Sequence, residues 1–116
     1  MLIIDNVYYD DALATFKKLG NQSGIAITLH QLGNIAYQQG DYATARQRYA
    51  ESLEIEQNLG NQSGIALTFG QMGLLAEKQG DKTEAARLFR EALEILERLQ
   101  SPNAEIARES LKRVSG

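Results

Sequence analysis

A repeat with a period of 40 residues constrains this chain more than any other feature of its sequence. The segment Asn-Gln-Ser-Gly-Ile-Ala at residues 21–26 returns unchanged at residues 61–66. Aligned at this offset, residues 21–60 and 61–100 are identical at 19 of 40 positions. A chain that repeats at such an interval builds similar supersecondary units, each of which buries its apolar face against its neighbours.

The repeat also predicts how the chain is organised. Tyr9 aligns with Tyr49 and Phe89, so the first 20 residues match the second half of the repeat. The pattern ends after residue 100. We therefore predict a single domain over 1–116, made of a half repeat (1–20), two repeats (21–60 and 61–100), and a capping helix with a tail (101–116).

Each repeat is predicted to contain two helices. Ile25, Leu29, Leu32 and Ala36 are three or four residues apart, which is the spacing of one face of an amphipathic helix. A second helix is predicted over about 42–59 in the first repeat, where the apolar positions resume.

Turn-forming residues separate the predicted helices. Gly40 and Gly80 stand where a helix ends in a left-handed cap, and an aspartate that suits the N-cap of the next helix follows each of them. Asp81 precedes Glu84 by three residues, which predicts a capping box.

The last segment differs from the repeats. Ser101-Pro102 predicts an N-cap serine followed by a proline at the first helical position. Charged residues alternate with Ile106, Ala107 and Leu111 over 103–114, so we predict a polar-faced capping helix there.

Two mid-helix glycines recur at the repeat interval and predict close packing. Glycine is unfavourable inside a helix, so Gly33 and Gly73 are best explained by a close approach of the second helix, at Ala45 and Ala85. Gly70 aligns with His30 instead of a glycine, and we predict that it opens space on the inner surface.

Composition excludes several classes of function. The chain has no cysteine and one histidine, which excludes thiolate nucleophiles, cysteine zinc sites and most histidine-based metal sites. His30 has no nucleophile or carboxylate beside it on its helix, so we predict a polar surface-lining residue and not a general base. No catalytic, metal-binding or cofactor-binding residue is predicted, and we expect no enzyme.

Charge and hydropathy limit the partners and the location. A net charge of −3 and a pI near 5.1 give no electrostatic basis for binding nucleic acid or an anionic membrane. The apolar start stops at Asp5, whereas a secretory segment needs roughly 7–15 apolar residues and a membrane span roughly 20. We therefore expect a cytoplasmic protein.

These residues together resemble a known repeat family. Leu32-Gly33, Ala36, Gly40-Asp41, Ala45 and Tyr49 fill one copy of the pattern, and Met72-Gly73, Ala76, Gly80-Asp81, Ala85 and Phe89 fill the next. The pattern resembles a tetratricopeptide repeat of a long type of about 40 residues. It is similar to LGN-type, kinesin-light-chain-like and cyanobacterial tetratricopeptide repeats.

The chain departs from the usual pattern at two kinds of position. Ala36 and Ala76 replace the usual aromatic residue of the first helix, and Gln57 and Glu97 stand where a proline would end the second helix. The second helix is therefore predicted to run longer, which accounts for the longer period. The resemblance implies an all-α fold, a right-handed α-solenoid of helix-turn-helix repeats.

The resemblance also implies a function. In this family the first helix of each repeat lines a concave groove that holds a peptide of a partner protein, so a non-enzymatic interaction scaffold is expected. The alternative for these residues is plain solvent exposure or packing against a neighbouring chain. Carried over by position, the groove residues are Ile27, His30, Asn34, Tyr37 and Gln38 in the first repeat, and Leu67, Gly70, Leu74, Glu77 and Lys78 in the second. Among these, only Lys78 is basic, so an acidic C-terminal peptide is not expected as the ligand.

A second class of function stays open at this point. The first 20 residues form a second helix without its first, which leaves apolar side chains without a neighbour on one side. Either the chain is part of a longer array, or this helix is buried by another copy in a structural or oligomerisation module. The residues concerned are Leu2, Ile3, Ile4, Val7, Tyr8 and Phe16.

Overall fold

Helices account for nearly all of the structure, a computed structural model that describes residues 2–116 and the side chains from Asn6 onward. In this range the chain forms six helices joined by short turns, without a β-strand. This confirms the predicted all-α helical repeat. The helices are α1 (Leu2–Leu19), α2 (Gln22–Gln38), α3 (Tyr42–Leu59), α4 (Gln62–Lys78), α5 (Lys82–Arg98) and α6 (Ala104–Ser115).

The helices form two compact units. Unit 1 ends at Gly60 and unit 2 begins at Asn61. In unit 1, α2 packs against both α1 and α3. In unit 2, α5 packs against both α4 and α6. The middle helix of each unit therefore supplies the surface on which its two neighbours assemble.

The turns between paired helices follow the sequence prediction. Gly40 and Gly80 adopt left-handed φ angles of 81° and 84°. Asp41 caps α3 by accepting a hydrogen bond from the Thr44 N–H at 3.3 Å, and Asp81 caps α5 by accepting one from the Glu84 N–H at 3.1 Å. Both the left-handed positions and the aspartate caps are confirmed.

The predicted capping box forms only in part. The Glu84 carboxylate does not return to Asp81, because it pairs with Arg87 at 2.8 and 2.9 Å. The Asp81 N–H donates instead to the Ala76 carbonyl at 2.9 Å. A charged partner one turn along the helix thus competes successfully for the glutamate.

The start of α6 differs from the prediction: the helix begins at Ala104 with Asn103 at its N-cap, so Ser101 and Pro102 lie in the turn before the helix. The Ser101 hydroxyl accepts a hydrogen bond from the Asn103 N–H, and the Ser101 carbonyl accepts one from the Ala104 N–H, both at 3.1 Å. Helix α6 packs its small residues inward, at Ala104, Ala107 and Ser110. Most of its charged residues stay exposed, as expected of a polar-faced helix.

A buried aromatic ring explains each recurrent glycine. A Cβ added at Gly33 would lie 2.7 Å from the Tyr49 ring, and one added at Gly73 would lie 2.6 Å from the Phe89 ring. The predicted close approach is confirmed, but the predicted partners Ala45 and Ala85 are wrong. The aromatic side chain one turn further along the second helix takes up the space that a methyl group would need.

Candidate functional site

A candidate site is a groove in unit 2, bounded by α4 and α6 with α5 as its floor. We call it the unit 2 groove. Its volume is about 540 Å³, within the range of pockets that hold small ligands. Leu67 and Leu74 line it from α4, Phe89 and Leu96 from α5, and Ile106 from α6.

Large apolar side chains stand exposed on both walls of the unit 2 groove. Leu67 is 55% exposed on the α4 wall and Ile106 is 66% exposed on the α6 wall. Exposed apolar residues that face one concave surface mark an interaction site more strongly than single scattered ones do. The polar side chains of Gln71 and Ser110 also line the groove and offer hydrogen-bonding groups.

Gly70 leaves open space in the unit 2 groove. A Cβ added at this glycine would meet nothing within 4 Å, and the glycine lines the groove together with Phe89. The prediction that Gly70 opens space is confirmed. In unit 1 the aligned residue is His30, whose ring packs on the Tyr49 ring with centroids 5.4 Å apart.

This packing corrects the prediction for His30. The histidine is buried, with 6% of its surface exposed, and is not a polar residue lining an open surface. Burial lowers the pKa of His30 from its ordinary value of 6.5, because the charged imidazolium is poorly solvated there.

Asn34 and Tyr49 form a second contact specific to unit 1. The Tyr49 hydroxyl donates to Asn34 Oδ1 at 2.6 Å, so this predicted groove residue already uses its oxygen within the fold. Burial, and to a lesser extent Tyr37, raises the pKa of Tyr49 to about 12. In unit 2 the aligned pair is Leu74 and Phe89, so a polar pair has been replaced by an apolar one.

The other predicted residues of α2 differ in their surroundings. Ile27 is 61% exposed and Gln38 is also exposed. Tyr37 is half-buried, with its ring 5.9 Å from the Tyr42 ring at the start of α3. Of the five predicted residues on α2, Ile27 and Gln38 are thus the most accessible.

An ion pair connects α4 to α6. Glu77 accepts two hydrogen bonds from the Arg113 guanidinium, each at 2.7 Å. Arg113 holds the pKa of Glu77 below its usual range, chiefly through these hydrogen bonds. Glu77 is therefore engaged within unit 2 and does not line the unit 2 groove, and the exposed Lys78 does not line it either.

No group of three or more histidine, cysteine, aspartate or glutamate side chains converges in the described part of the chain in a way that suits a metal ion. Over the same residues, no helix combines the length and the apolar content that crossing a membrane requires.

Comparison with known proteins identifies the family. The sequence profile of the tetratricopeptide repeat matches residues 8–58 and again residues 24–98. The chain belongs to the tetratricopeptide-repeat family. No curated protein sequence is significantly similar to it.

A solved structure shows the same fold. The crystal structure of BtubC (BKLC) from P. vanneervenii superposes with a TM-score of 0.84 over 92% of this chain, at 22% sequence identity. The chain spans 46% of the length of that protein. At this identity the likeness concerns the fold.

Sequence reasoning missed the α6 wall of the groove. The sequence predicts α6 as a polar-faced cap, whereas in the structure Ile106 and Ser110 line the unit 2 groove together with the tetratricopeptide-repeat helices. The available signal was Ile106 itself, a large apolar residue that lies off the buried stripe of Ala104, Ala107 and Ser110.

Proposed function

We propose that this chain is a non-enzymatic interaction scaffold that binds a peptide segment of a partner protein in the unit 2 groove. Tetratricopeptide repeats generally mediate protein–protein interactions, and the family is generally non-enzymatic. The observation that carries the proposal is the apolar groove of about 540 Å³, with Leu67 and Ile106 exposed on opposite walls.

Three of the sequence-predicted contact residues support this location. Leu67, Gly70 and Leu74 all line the groove. The predicted residues on α2 stay candidate contacts, with Ile27 the most exposed apolar one among them. Burial of Leu67 and Ile106 by a peptide would remove apolar surface from water, at about 25 cal/mol for each Å².

The test uses the purified chain and a display library of random peptides. Peptides that bind the wild-type chain are labelled with fluorescein, and their affinities are measured by fluorescence anisotropy. We expect Leu67→Glu or Ile106→Glu to weaken binding at least about tenfold, because a charge would be placed in an apolar contact.

Leu59→Glu is the matched control. Leu59 is 50% exposed, similar to Leu67, but it lies at the end of α3 and outside the unit 2 groove. It should leave the affinity unchanged. A library that enriches no peptide, or peptides insensitive to both groove substitutions, would refute the proposal.

Self-association through α1 is a second candidate function, favoured by its exposed apolar residues. Val7 is 55% and Tyr8 is 67% exposed. Phe16 does not belong to this exposed set, because it is half-buried against Gly24 of α2. The side chains of Leu2, Ile3 and Ile4, which the prediction included, lie outside the described residues.

Sedimentation velocity tests this second function. If α1 mediates self-association, the wild-type chain sediments as an oligomer and Tyr8→Glu converts it to a monomer of 12.8 kDa. A wild-type chain that is monomeric at all accessible concentrations would rule out this function. The cytoplasmic location stays a prediction, and cell fractionation would test it.

A further inference from the structure

We propose that the unit 2 groove accepts one large, uncharged, apolar side chain of the partner peptide, inserted beside Gly70 between Leu67 of α4 and Ile106 of α6. This inference rests on the proposed function and specifies the ligand chemistry of the same site. Gly70 is the residue that determines this specificity.

The first argument comes from the two repeats of this chain. In unit 1 the His30 ring packs on the Tyr49 ring, 5.4 Å away between centroids. In unit 2 the aligned residues are Gly70 and Phe89, and both line the groove. No ring of the protein occupies the position beside Gly70 in unit 2, where an added Cβ would meet nothing within 4 Å. Phe89 is itself 2% exposed, so the open space lies beside Gly70 and the exposed Leu67 and Ile106 side chains and not over the aromatic ring.

The second argument is that packing does not explain Gly70. At Gly24, Gly33 and Gly73 an added Cβ would lie within 2.8 Å of an aromatic ring, so each of these glycines is required sterically. At Gly70 an added Cβ would meet nothing within 4 Å. Glycine is unfavourable in the interior of a helix, and the consequence of having it here is the open groove.

The third argument is the charge of the lining. The residues that line the groove, all within the described unit 2, carry no ionisable side chain. The nearest ion pair of α4, Glu77 with Arg113, is satisfied internally. A buried charge on the ligand would meet no opposite charge, so the complementary side chain is an uncharged one. Leucine, methionine and phenylalanine fit this description.

Gln71, Ser63 and Ser110 give the ligand a backbone partner. Their side chains line the same groove and carry both donors and acceptors. An apolar side chain seated beside Gly70 would leave the adjoining peptide groups of the ligand to bond with these residues. The groove therefore favours a peptide, with a single apolar anchor, over a free hydrocarbon.

The experiment compares Gly70→His with Gly70→Ala. Gly70→His places in unit 2 the side chain that fills the equivalent space in unit 1, whereas Gly70→Ala adds only a methyl group and is the matched control. We expect the library-selected peptides to lose affinity at least about tenfold with Gly70→His and less than about threefold with Gly70→Ala. Circular dichroism melting confirms that both variants fold.

A second measurement needs no selected peptide. N-acetyl-phenylalanine amide and N-acetyl-leucine amide are titrated into the wild-type chain with ¹³C-labelled leucine methyl groups, and N-acetyl-aspartate amide serves as the charged comparison. We expect the two apolar amides to shift the Leu67 and Leu74 methyl signals, and we expect no shift with the aspartate amide or with Gly70→His.

The outcomes separate this inference from the proposed function. Selected peptides that bind Gly70→His as tightly as wild type but lose affinity for Leu67→Glu would overturn the inference and leave the proposed function standing. A selected consensus with a charged residue at its anchor position would also overturn it. No enriched peptide together with no methyl shift would overturn both. If Gly70→His dissociates a wild-type dimer, the occupant is a second copy, and the partner peptide is rejected.

Discussion

Tyr49 and Phe89 occupy the same position in the two repeats and determine what their neighbours must be. Each ring lies where a Cβ of the facing glycine would be, so Gly33 and Gly73 recur together with the rings. The rings differ by one oxygen. Tyr49 uses it to donate to Asn34. Phe89, aligned with Tyr49, lies in the apolar cluster against which Leu74 packs. The same position in the repeat is therefore filled by a hydrogen-bonded polar pair in unit 1 and by an apolar pair in unit 2.

Exchanging the chemistry of one repeat for that of the other tests this pairing. Tyr49→Phe removes the 2.6 Å hydrogen bond and should lower the free energy of unfolding by about 1 kcal/mol. Adding Asn34→Leu recreates the pair found in unit 2 and should recover most of the loss. The double-mutant cycle is measured by urea denaturation, and additive effects of the two changes would contradict the pairing.

Substitution of the two mid-helix glycines Gly73 and Gly70 by alanine should change the stability of the chain in opposite directions. Gly73→Ala forces a methyl group to within 2.6 Å of the Phe89 ring and should destabilise the chain by about 1–3 kcal/mol. Gly70→Ala meets open space and should stabilise it by about 0.5–1 kcal/mol through helix propensity. Thermal unfolding of both variants gives the comparison, and equal effects would disprove the steric explanation.

The single histidine should titrate below its ordinary range. Burial lowers the pKa of His30 in the folded chain, so the unfolded chain binds more protons as the pH falls below about 6.5. Stability is therefore full above that pH and decreases as the pH drops toward the folded-state pKa. Proton NMR of the imidazole measures the midpoint directly, because the chain has one histidine.

His30→Gln is the control for this titration. Its free energy of unfolding should lose the decrease below about pH 6.5 that the wild-type chain shows. A His30 pKa in the folded wild-type chain that equals or exceeds the pKa measured in urea would show that His30 is not buried as a neutral imidazole.

At the scale of the helices, α6 combines two roles on different faces. One face buries Ala104, Ala107 and Ser110 against the rest of unit 2, and Ile106 contributes to the groove. Ion pairs connect its charged residues to both other helices, since Arg113 bonds Glu77 of α4 and Arg108 bonds Glu97 of α5 at 2.9 Å. Polar contacts therefore join α6 to both other helices of unit 2, in addition to its buried face.

Removing the Glu77 charge should weaken this attachment modestly and in a pH-dependent way. Glu77→Gln is expected to cost below about 1 kcal/mol at neutral pH, because the pair is partly exposed. Arg113 lowers the pKa of Glu77, so the contribution is present above about pH 4.5 and is lost as the pH falls through the folded-state pKa. The free energy of unfolding of both chains, measured at neutral pH and again below about pH 4.5, tests this.

Glu109→Gln is the comparison for this prediction. Glu109 also lies beside a basic residue, Lys112, but at 3.9 Å and with both side chains mostly exposed. It should change stability less than Glu77→Gln at neutral pH. Equal effects at neutral pH, or a difference that persists in acid, would contradict the role of the Glu77–Arg113 pair.

At the scale of the whole molecule, the small net charge and the uncharged lining of the groove both indicate that electrostatics contributes little to binding. The chain is mildly acidic, with a net charge of −3, and the unit 2 groove is lined without ionisable residues. Long-range attraction therefore contributes little to the recognition proposed here, and burial of apolar surface contributes most.

Binding should accordingly depend weakly on salt. The affinity of a selected peptide is expected to change by less than about threefold between about 0.05 M and about 0.5 M NaCl, where screening lengths differ severalfold. Fluorescence anisotropy at several salt concentrations measures this. A steep loss of affinity with salt would indicate that charged residues outside the groove dominate binding.

The sequence by itself determined the elements of this protein. The 40-residue period, the apolar spacing and the Gly-Asp turns predicted the helices and their caps, because these features depend on residues within one or two helical turns of each other. The resemblance of these residues to a tetratricopeptide repeat predicted the family, and the sequence profile confirms it. The right-handed stacking of the repeats and the single-domain organisation stay predictions.

Only the tertiary structure decided which side chains meet. It placed the Tyr49 ring, and not Ala45, against Gly33, and it buried His30, which the sequence placed on the surface. It also made α6 a wall of the groove. Such contacts join residues far apart in the chain. They depend on the volumes of the side chains that face each other between two helices. Periodicity within a helix shows which face turns inward and leaves open what fills the space opposite it.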